Sequence, residues 1–298
     1  MKNKEKLVSI ILNCYNGEEY LREALASVQS QIYKNWELIF WDNHSNDKSK
    51  EILNSFKNKK FKYFKSKKFT TLYAARNLAL QKTKGKFISF IDADDLWESD
   101  KLKLQMKCFK DRNVALVFGN QWIKKESSNK KRLFINYKIK QGYIYHNLIN
   151  NYNIGILTSV LRKEYLEKSK KVFNEKYRII GDYELFLRLA KNYKFKAIQK
   201  PIATYRIHKN NYSILNKNLE ATELEDWLKN NKKNLNKAEY KKIRKKILQI
   251  KFVNLKFKSS FLKTFIFFTF NLNLLLNIKN IIILFFPRYV LRKLIWFF

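Results

Sequence analysis

The feature that most constrains this chain is a short apolar run that ends in three carboxylates, K-F-I-S-F-I-D-A-D-D-L-W at residues 86–97. Its apolar part has the length and composition of a strand covered on both faces of a parallel sheet. Ligands of open α/β sheets bind outside such strand ends. Asp92, Asp94 and Asp95 repel one another, and carboxylates at this density suit Mg²⁺ or Mn²⁺ holding a phosphate-bearing substrate. The alternative is a solvated acidic turn that caps the helix after Ser99.

Strands and helices alternate through the first half of the chain. Further strands are predicted over 7–12, 36–41, 61–64 and 114–119, and helices over 16–28 with Asn16 as N-cap, 47–56, and 72–83 closed by Gly85. This alternation predicts a parallel sheet with right-handed crossovers. Polar residues after the strands, at 13–16, Asp42 and Asp92, should therefore meet at one edge of that sheet.

Composition places the chain among globular proteins. Its 298 residues are 46% hydrophobic and 29% charged, with 6 Gly and 2 Pro. Cys14 and Cys108 show no metal-ligand spacing and no disulfide framework, which indicates a reducing compartment. Residues 1–6 are polar and basic, so no secretory signal is predicted there.

The positive charge is concentrated in the second part of the chain. Net charge is +37, and residues 1–100 hold 18 Lys/Arg against 13 Asp/Glu, whereas residues 101–298 hold 44 against 12. The asymmetry indicates an anionic partner: nucleic acid, acidic lipid or a phosphorylated acceptor. An AT-rich genome would give a similar Lys- and Asn-rich composition without any such partner. Neither G-x-G-x-x-G nor a P-loop occurs, so a metal held by acids remains the way to bind a diphosphate.

Six segments carry a family resemblance. They are V-S-I-I-L-N-C-Y-N at 8–16, W-D-N-H-S-N-D at 41–47, A-A-R-N-L-A at 74–79, G-K-F-I-S-F-I-D-A-D-D-L-W at 85–97, G-D-Y-E-L-F-L-R-L-A at 181–190 and Y-R-I-H at 205–208. Any one of them is a weak signal, and six in order are a strong one. Through them, residues 7–208 resemble a family 2 glycosyltransferase with the GT-A fold.

The resemblance implies a nucleotide site at the first two strand ends. It assigns nucleoside binding to Asn13, Tyr15, Asp42 and Asn43, with the Tyr15 ring against the base and Asp42 accepting from a uracil imide or a ribose hydroxyl. Many members carry an acid where this chain has Asn43. Arg76 would lie against the nucleotide or its diphosphate, unless it is a surface arginine of its helix.

The resemblance also implies a metal site. Asp92 and Asp94 form the D-x-D motif of the family, and Asp95 is adjacent. We expect Asp94 to bind Mg²⁺ or Mn²⁺ directly and Asp92 to contact the ribose or a metal-bound water. The metal would neutralise the diphosphate as the bond to the sugar breaks.

Asp182 corresponds to the general base of the family. Members usually show Glu-Asp where this chain has Gly181-Asp182, so the proposed base is kept and its neighbour is not. Asp182 is otherwise explained as a helix N-cap. Arg206 and His208 match a late motif, with either a diphosphate or metal contact or a structural role.

The chain after residue 215 differs in kind. Between Lys229 and Lys263 lie thirteen Lys/Arg and a single acid, and the following charge-free run, residues 264–278, is shorter than the ~20 residues of a spanning helix. Polar residues fall on one stripe of a helix otherwise rich in Phe and Leu: Thr269, Asn273, Asn277 and Asn280. We expect a helix in the membrane interface, with basic residues on anionic headgroups. Packing on the catalytic domain or on a dimer partner is the alternative.

These observations predict an α/β GT-A domain over residues 1–215 and a helical extension over 216–298. The predicted function is metal-dependent, inverting transfer of one sugar from a nucleotide sugar, which we expect to be a UDP-sugar, to a glycan or lipid-linked acceptor in surface-polysaccharide assembly. The predicted place is the cytoplasmic face of the cell membrane. A sugar nucleotidyltransferase would show a Gly-rich basic loop after the first strand. A nucleic-acid-binding protein would show a recognition module, and no nucleic acid is expected.

Overall fold

The computed structural model describes residues 6–166, 172–288 and 291. The predictions that concern residues 1–5 and the end of the extension, 289–290 and 292–298, lie outside this part of the chain. Two compact units are present, Met1–Lys209 and Asn210–Phe298. The sequence prediction divides the chain slightly later, after residue 215.

The first unit is built on one mixed sheet. Its strands are β1 Val8–Cys14, β2 Trp36–Asp42, β3 Phe61–Lys65, β4 Phe87–Asp92, β5 Leu96–Trp97, β6 Val114–Lys125, β7 Lys130–Leu133, β8 Val160–Arg162 and β9 Lys194–Ile207. Their order is β3-β2-β1-β4-β8-β6-β9-β5, with β7 paired to β6. Strands β1 to β4 are mutually parallel, as predicted, and β8 runs antiparallel to β4 and β6.

Seven helices of this unit lie in the described residues. They are α1 Leu21–Gln29, α2 Ser49–Ser55, α3 Leu72–Leu80, α4 Lys101–Cys108, α5 Tyr145–Asn150, α6 Lys163–Leu166 and α7 Gly181–Ala190. The inner face of α1 carries apolar residues at helical spacing, three to four positions apart. Leu21, Leu25 and Val28 are completely buried against the sheet, whose β1 and β2 are apolar on both faces.

The parallel register brings the polar strand ends together. Cys14 of β1 lies beside Asp42 of β2, and Asn13 of β1 lies beside Asp92 of β4. Because the strands point the same way, their carboxyl ends form one edge. The predicted meeting of the polar residues at that edge is confirmed.

The predicted cap of the first helix is wrong. Helix α1 begins at Leu21, and Asn16 adopts a left-handed backbone conformation with φ 50°. Asparagine tolerates this conformation in turns. Its Oδ1 instead accepts a hydrogen bond from the backbone N–H of Asn46 at 3.0 Å, so it joins the turns that follow β1 and β2.

Gly85 is not a helix cap. Helix α3 ends at Leu80 with Gln81 as its C-cap. A Cβ on Gly85 would lie 2.6 Å from the backbone nitrogen of Ser9 and 2.8 Å from the carbonyl oxygen of Leu7. A glycine is therefore needed because the chain entering β4 passes directly against β1.

Asp182 is likewise not the N-cap of its helix. Ile180 holds that position, without a side-chain cap, and Asp182 lies in the first turn of α7. Trp97 is 4% exposed and donates its indole N–H to the carbonyl of Leu157 at 3.1 Å, so it packs inside the first unit.

The second unit is helical. Its elements are α8 Tyr212–Leu215, α9 Lys217–Asn231, α10 Lys237–Lys258, α11 Phe261–Phe270, α12 Leu272–Leu275 and α13 Ile278–Phe285. Helix α10 starts with a capping box, in which the side chains of Asn236 and Glu239 each accept from the backbone N–H of the other. A small core gathers apolar side chains of α10 to α13, with Leu291: Phe252, Phe268, Leu275, Ile283, Leu284 and Leu291.

The apolar segment does not form the single helix that the stripe predicted. It breaks at Asn271 and again before Ile278, and the Asn277 side chain caps α13 by accepting from the backbone N–H of Asn280 at 2.9 Å. Asn280 itself is buried. No helix in the described residues is long and apolar enough to cross a membrane.

Candidate active site

Asp42 ends β2 and is held from two sides. One carboxylate oxygen accepts from the backbone N–H of Ser45 at 2.7 Å, and the other accepts from the Tyr63 hydroxyl at 2.6 Å. The side chain is almost fully buried. Burial and the charge of Asp42 raise the pKa of Tyr63 above its usual value, so this hydroxyl remains a donor. Asp42 is thereby fixed at the edge with lone pairs left to accept further hydrogen bonds.

The side chain of Asn43 binds the loop that contains Thr70 through two hydrogen bonds. Its amide nitrogen donates to the carbonyl of Thr70 at 2.8 Å, and its amide oxygen accepts from the Thr70 hydroxyl at 2.9 Å. This loop precedes α3 and carries Phe69, whose ring lies 4.6 Å from the ring of Tyr15. Both rings are more than half exposed. The edge therefore presents a pair of aromatic faces on which a base could stack.

Asn13 provides unused hydrogen-bonding capacity at the same edge. Both polar atoms of its side chain are buried, and neither has a hydrogen-bond partner within the described protein. Buried amide groups without partners are rare because each costs free energy. The side chain suits a ligand that supplies a donor and an acceptor.

Asp92 and Arg76 form an ion pair at the end of β4. The guanidinium Nη2 of Arg76 lies 2.7 Å from Asp92 Oδ1, with the arginine 2% exposed and the aspartate side chain 35% exposed. The guanidinium also lies over the rings of Tyr73 and Phe90, at 5.4 and 5.7 Å from their centres. Arg76 is thus a buried residue of this edge rather than a surface arginine.

Asp94, just before β5, pairs with His208, just after the neighbouring strand β9. The two side chains meet at 2.8 Å between Oδ2 and Nε2, and the histidine ring lies 4.9 Å from that of Tyr20. Arg206, for which the sequence left open a diphosphate or metal contact and a structural role, is buried. It bridges Glu23 and Glu126 and donates from Nε to the carbonyl of Asp94.

Asp95 has a different environment from its two neighbours. It is 1% exposed, and its Oδ1 accepts from the backbone N–H of Arg206 at 2.9 Å. Burial, followed by the charges of Asp94 and Asp92, raises the pKa of its carboxyl group well above the usual value. Its position braces the acidic loop against β9.

The donor set at this edge fits a divalent cation shared with a substrate. No three His, Cys, Asp or Glu side chains within residues 6–166, 172–288 and 291 lie close enough together to hold a metal by themselves. Mg²⁺ and similar ions at phosphate sites commonly use one or two carboxylates, with substrate phosphates and water completing the shell. Asp94, 29% exposed, and Asp92 supply such carboxylates, and His208 adds a nitrogen donor.

Asp182 reaches the same site from α7. Its Oδ1 lies 3.0 Å from the Tyr73 hydroxyl of α3, one helical turn before Arg76. Burial raises the pKa of the Asp182 carboxyl group, while the positive charge of Arg76 and the hydrogen bond from Tyr73 act in the opposite direction. Helix α3 therefore connects Asp92, through Arg76 and Tyr73, with Asp182.

A cavity of about 1380 Å³ lies elsewhere, at the amino ends of β1 and β4. Nine Lys/Arg side chains and one acid, Glu164, line it. It is at the opposite edge of the sheet from Asp42 and Asp92, so it is not part of the site described above. Nothing in the described residues indicates what would occupy it.

Sequence reasoning missed Phe69, Tyr63 and Tyr73. Tyr63 and Phe69 lie outside the motifs, and Tyr73 directly precedes one of them. Their position along the chain was the one available signal for Phe69 and Tyr73, because both flank the start of a predicted helix that carries Arg76. What they do depends on contacts across the fold, which spacing along the chain does not reveal.

Comparisons with known proteins agree with this geometry. The profile of the family described as Glycosyl transferase family 2 matches residues 9–169. The chain is 32% identical over 192 residues, 64% of its length and 73% of the relative's, to the UDP-Glc:alpha-D-GlcNAc-diphosphoundecaprenol beta-1,3-glucosyltransferase WfgD of Escherichia coli.

Solved structures give the fold. TarS 1–349 of S. aureus in complex with UDP-GlcNAc matches with a TM-score of 0.61 at 18% identity, covering 85% of this chain and 76% of that one. The mannosyltransferase PcManGT of Pyrobaculum calidifontis, in complex with GDP-Man and Mn²⁺, matches with a TM-score of 0.63 at 15% identity, covering 93% and 83%. The first unit has the GT-A fold.

Proposed function

This chain belongs to glycosyltransferase family 2, and we propose that it moves one sugar from a UDP-sugar to a lipid-linked acceptor, with a divalent metal and inversion at the anomeric carbon. The observation that carries the proposal is the side-chain connection Asp92–Arg76–Tyr73–Asp182. It links Asp92, at the end of β4, to the proposed base, and this supports placing both in one site.

The donor half of the proposal is supported by the edge formed by β1 and β2. The exposed faces of Tyr15 and Phe69 suit a flat base. The unpartnered amide of Asn13 and the remaining lone pairs of Asp42 suit the donors and acceptors of a nucleoside. Asn43 shapes this half by fixing the Phe69 loop rather than by touching the base. UDP is supported by the UDP-linked donor of the relative from Escherichia coli.

The diphosphate half centres on the acidic loop. Asp94 and Asp92, together with the phosphates of the substrate, would hold Mg²⁺ or Mn²⁺, which when bound neutralises charge that develops on the leaving diphosphate. His208 lies against Asp94 and would orient its carboxylate. Arg76 adds a fixed positive charge beside Asp92. Asp95 is left out of the ligand set because its carboxylate points to the backbone of Arg206.

Asp182 is the proposed general base. Its carboxylate would take the proton of the acceptor hydroxyl as that oxygen attacks the anomeric carbon from the face opposite the diphosphate. The raised pKa suits this role, because a stronger base accepts the proton more readily. A single displacement of this kind inverts the anomeric configuration.

Attachment to an anionic membrane surface is supported by the second unit. Helix α11 buries Thr264 and Phe268 and turns apolar side chains outward, including Leu262 at 65% and Phe270 at 85% exposure. Exposed basic side chains along α10 provide charge complementary to acidic headgroups: Lys241, Lys242, Arg244, Lys245 and Lys246. A lipid-linked acceptor would be met at such a surface.

The test is a donor panel. UDP-, GDP- and dTDP-sugars are added to the full chain with Mn²⁺, and the unfolding temperature is followed, since a ligand that binds only the native state raises it. Sugar transfer to a diphospholipid-linked GlcNAc is then measured with the stabilising donor. Stabilisation and transfer with a UDP-sugar are expected. A panel in which no nucleotide sugar stabilises or reacts would refute the proposal.

A further inference from the structure

The contact between α3 and α7 has a feature that the proposed reaction does not explain. Gly181 precedes Asp182, and a Cβ on Gly181 would lie 2.6 Å from both Cδ2 and Cε2 of the Tyr73 ring. Real Cβ atoms do not approach other atoms this closely. The ring of Tyr73 therefore occupies the space that any other residue at position 181 would need.

The Tyr73 ring has no room to move aside. It is 2% exposed, stacks on Phe173 with ring centres 5.3 Å apart, and lies beneath the guanidinium of Arg76. Its hydroxyl reaches two acceptors on the far side, the carbonyl oxygen of Ile179 at 2.8 Å and Asp182 Oδ1 at 3.0 Å. Both the ring and the hydroxyl are thus fixed around the first turn of α7.

From this geometry we propose that Gly181 and Tyr73 work as a pair, in which the glycine admits the ring and the Tyr73 hydroxyl positions the carboxylate of Asp182 for proton transfer. Tyr73 is a positioning residue, since it acts through Asp182. The claim rests on the proposed function only in taking Asp182 as the base.

The Tyr73 hydroxyl has one proton and two acceptors, the Ile179 carbonyl and Asp182, so it can adjust to either protonation state of the base. When Asp182 is ionised, the Tyr73 proton stabilises Oδ1. When Asp182 has taken the acceptor proton, its neutral carboxyl group is a weaker acceptor, and the Tyr73 hydroxyl can rotate to the Ile179 carbonyl. No covalent bond of Tyr73 is made or broken. The hydroxyl then follows the charge of Asp182 through the turnover and stays hydrogen-bonded in both states.

Other charged and titratable groups also face Asp182. Arg76 lies on the same side and is paired with Asp92. Burial, followed by the charge of the nearby Asp182, raises the pKa of Tyr152, and its buried hydroxyl has no hydrogen-bond partner among the described residues. Removing only the Tyr73 hydroxyl leaves all of these groups in place, so a change in Asp182 can be assigned to Tyr73.

The first experiment is Tyr73→Phe, which keeps the ring. Loss of a hydrogen bond to the carboxylate raises the pKa of Asp182, so the acid limb of the kcat/KM profile should move upward by about one pH unit. The control is Tyr33→Phe, which removes a hydroxyl that donates to the carbonyl of Lys6 at the opposite edge of the sheet. The acid limb of the kcat/KM profile of Tyr33→Phe should stay at the wild-type pH. An unmoved limb in Tyr73→Phe overturns the positioning role.

The second experiment needs no turnover. Gly181→Ala should lower Tm by about 5 °C, whereas in a Tyr73→Ala background the same change should lower it by about 1 °C or less. Equal losses in both backgrounds would overturn the pairing. The ¹³C chemical shift of the Asp182 carboxyl group, titrated in wild type and Tyr73→Phe, reports the same pKa difference directly. If the protein transferred no sugar, the proposed function would fail while these two measurements still decided the pairing.

Discussion

At the scale of single residues, the proposed reaction depends most on Asp182, because as its base the carboxyl group would change protonation state in each turnover. Asp182→Asn keeps the shape of the side chain and removes the base. We expect kcat to fall by about 10²- to 10⁴-fold with the donor-induced rise in Tm unchanged. Glu184→Gln, on the same helix and paired with Arg188, is the control and should keep its activity. Normal turnover in Asp182→Asn would show that Asp182 is not the general base.

The pH dependence of the wild-type enzyme follows from the same group. With Asp182 as the proposed base, transfer would need the ionised carboxylate, and burial raises the pKa of Asp182 above its ordinary value of 3.8. The rate should therefore fall as pH drops through this raised pKa, at a higher pH than for an exposed aspartate. Measurement of kcat/KM from pH 4 to 8 checks this, and Asp182→Asn should lack that limb. A wild-type profile flat down to pH 4 would contradict it.

The residues of the site differ in how visible they are in the sequence. Asp42, Asp92 and Asp94 were predicted as site residues because they follow apolar runs and match motifs. Tyr73 was not found, since its role comes from contacts with Gly181 and Asp182, more than 100 positions away. Charges that end strands leave a pattern along the chain, whereas packing partners of a catalytic group do not.

At the scale of elements, the close passage of the chain at Gly85 against β1 positions the whole of β4. Gly85→Ala places a Cβ against backbone atoms of Ser9 and Leu7 that belong to or adjoin the sheet. We expect a loss of about 3 kcal/mol in the free energy of unfolding, at the upper end of overpacking costs. Urea denaturation measures it.

Gly142→Ala is the matched control for that substitution. Nothing lies within 4 Å of a Cβ built on Gly142, and only its φ of 101° resists an alanine. The expected loss is about 1 kcal/mol. A Gly85→Ala variant no less stable than Gly142→Ala would show that the strands can separate at little cost.

Strands β1 to β4 were predicted more accurately than the ends of helices, whereas β5, β7, β8 and β9 were not predicted and β6 continues to Lys125, beyond its predicted end at residue 119. The apolar runs of β1, β2 and β4 fixed these strands to within two residues, because burial on both faces demands them. Asn16 and Gly85 were misassigned as helix caps, since both residue types also serve turns and close approaches. The breaks at Asn271 and Asn277 were missed because helical periodicity continues through them.

At the scale of the whole molecule, composition separates two units with different surfaces. The exposed apolar face of α11 and the basic side chains of α10 lie in the second unit, and together they predict binding to anionic vesicles. Leu262→Asp with Phe270→Asp should reduce co-sedimentation with such vesicles at least about tenfold, because each charge opposes insertion. Leu215→Asp, 58% exposed in the same unit, is the control. Equal binding by wild type, the double variant and Leu215→Asp would contradict membrane attachment through α11.

The central claim is that the acidic loop after β4 and Asp182 form one metal-dependent sugar-transfer site. Its most direct test is the Mn²⁺-dependent transfer of sugar from a UDP-sugar to a diphospholipid-linked acceptor by wild type, Asp94→Ala and Glu98→Ala. Glu98 is an exposed acid four residues beyond Asp94 and serves as the control. We expect at least about a 100-fold loss of transfer in Asp94→Ala and none in Glu98→Ala, with both variants folded. Undiminished transfer by Asp94→Ala would contradict it.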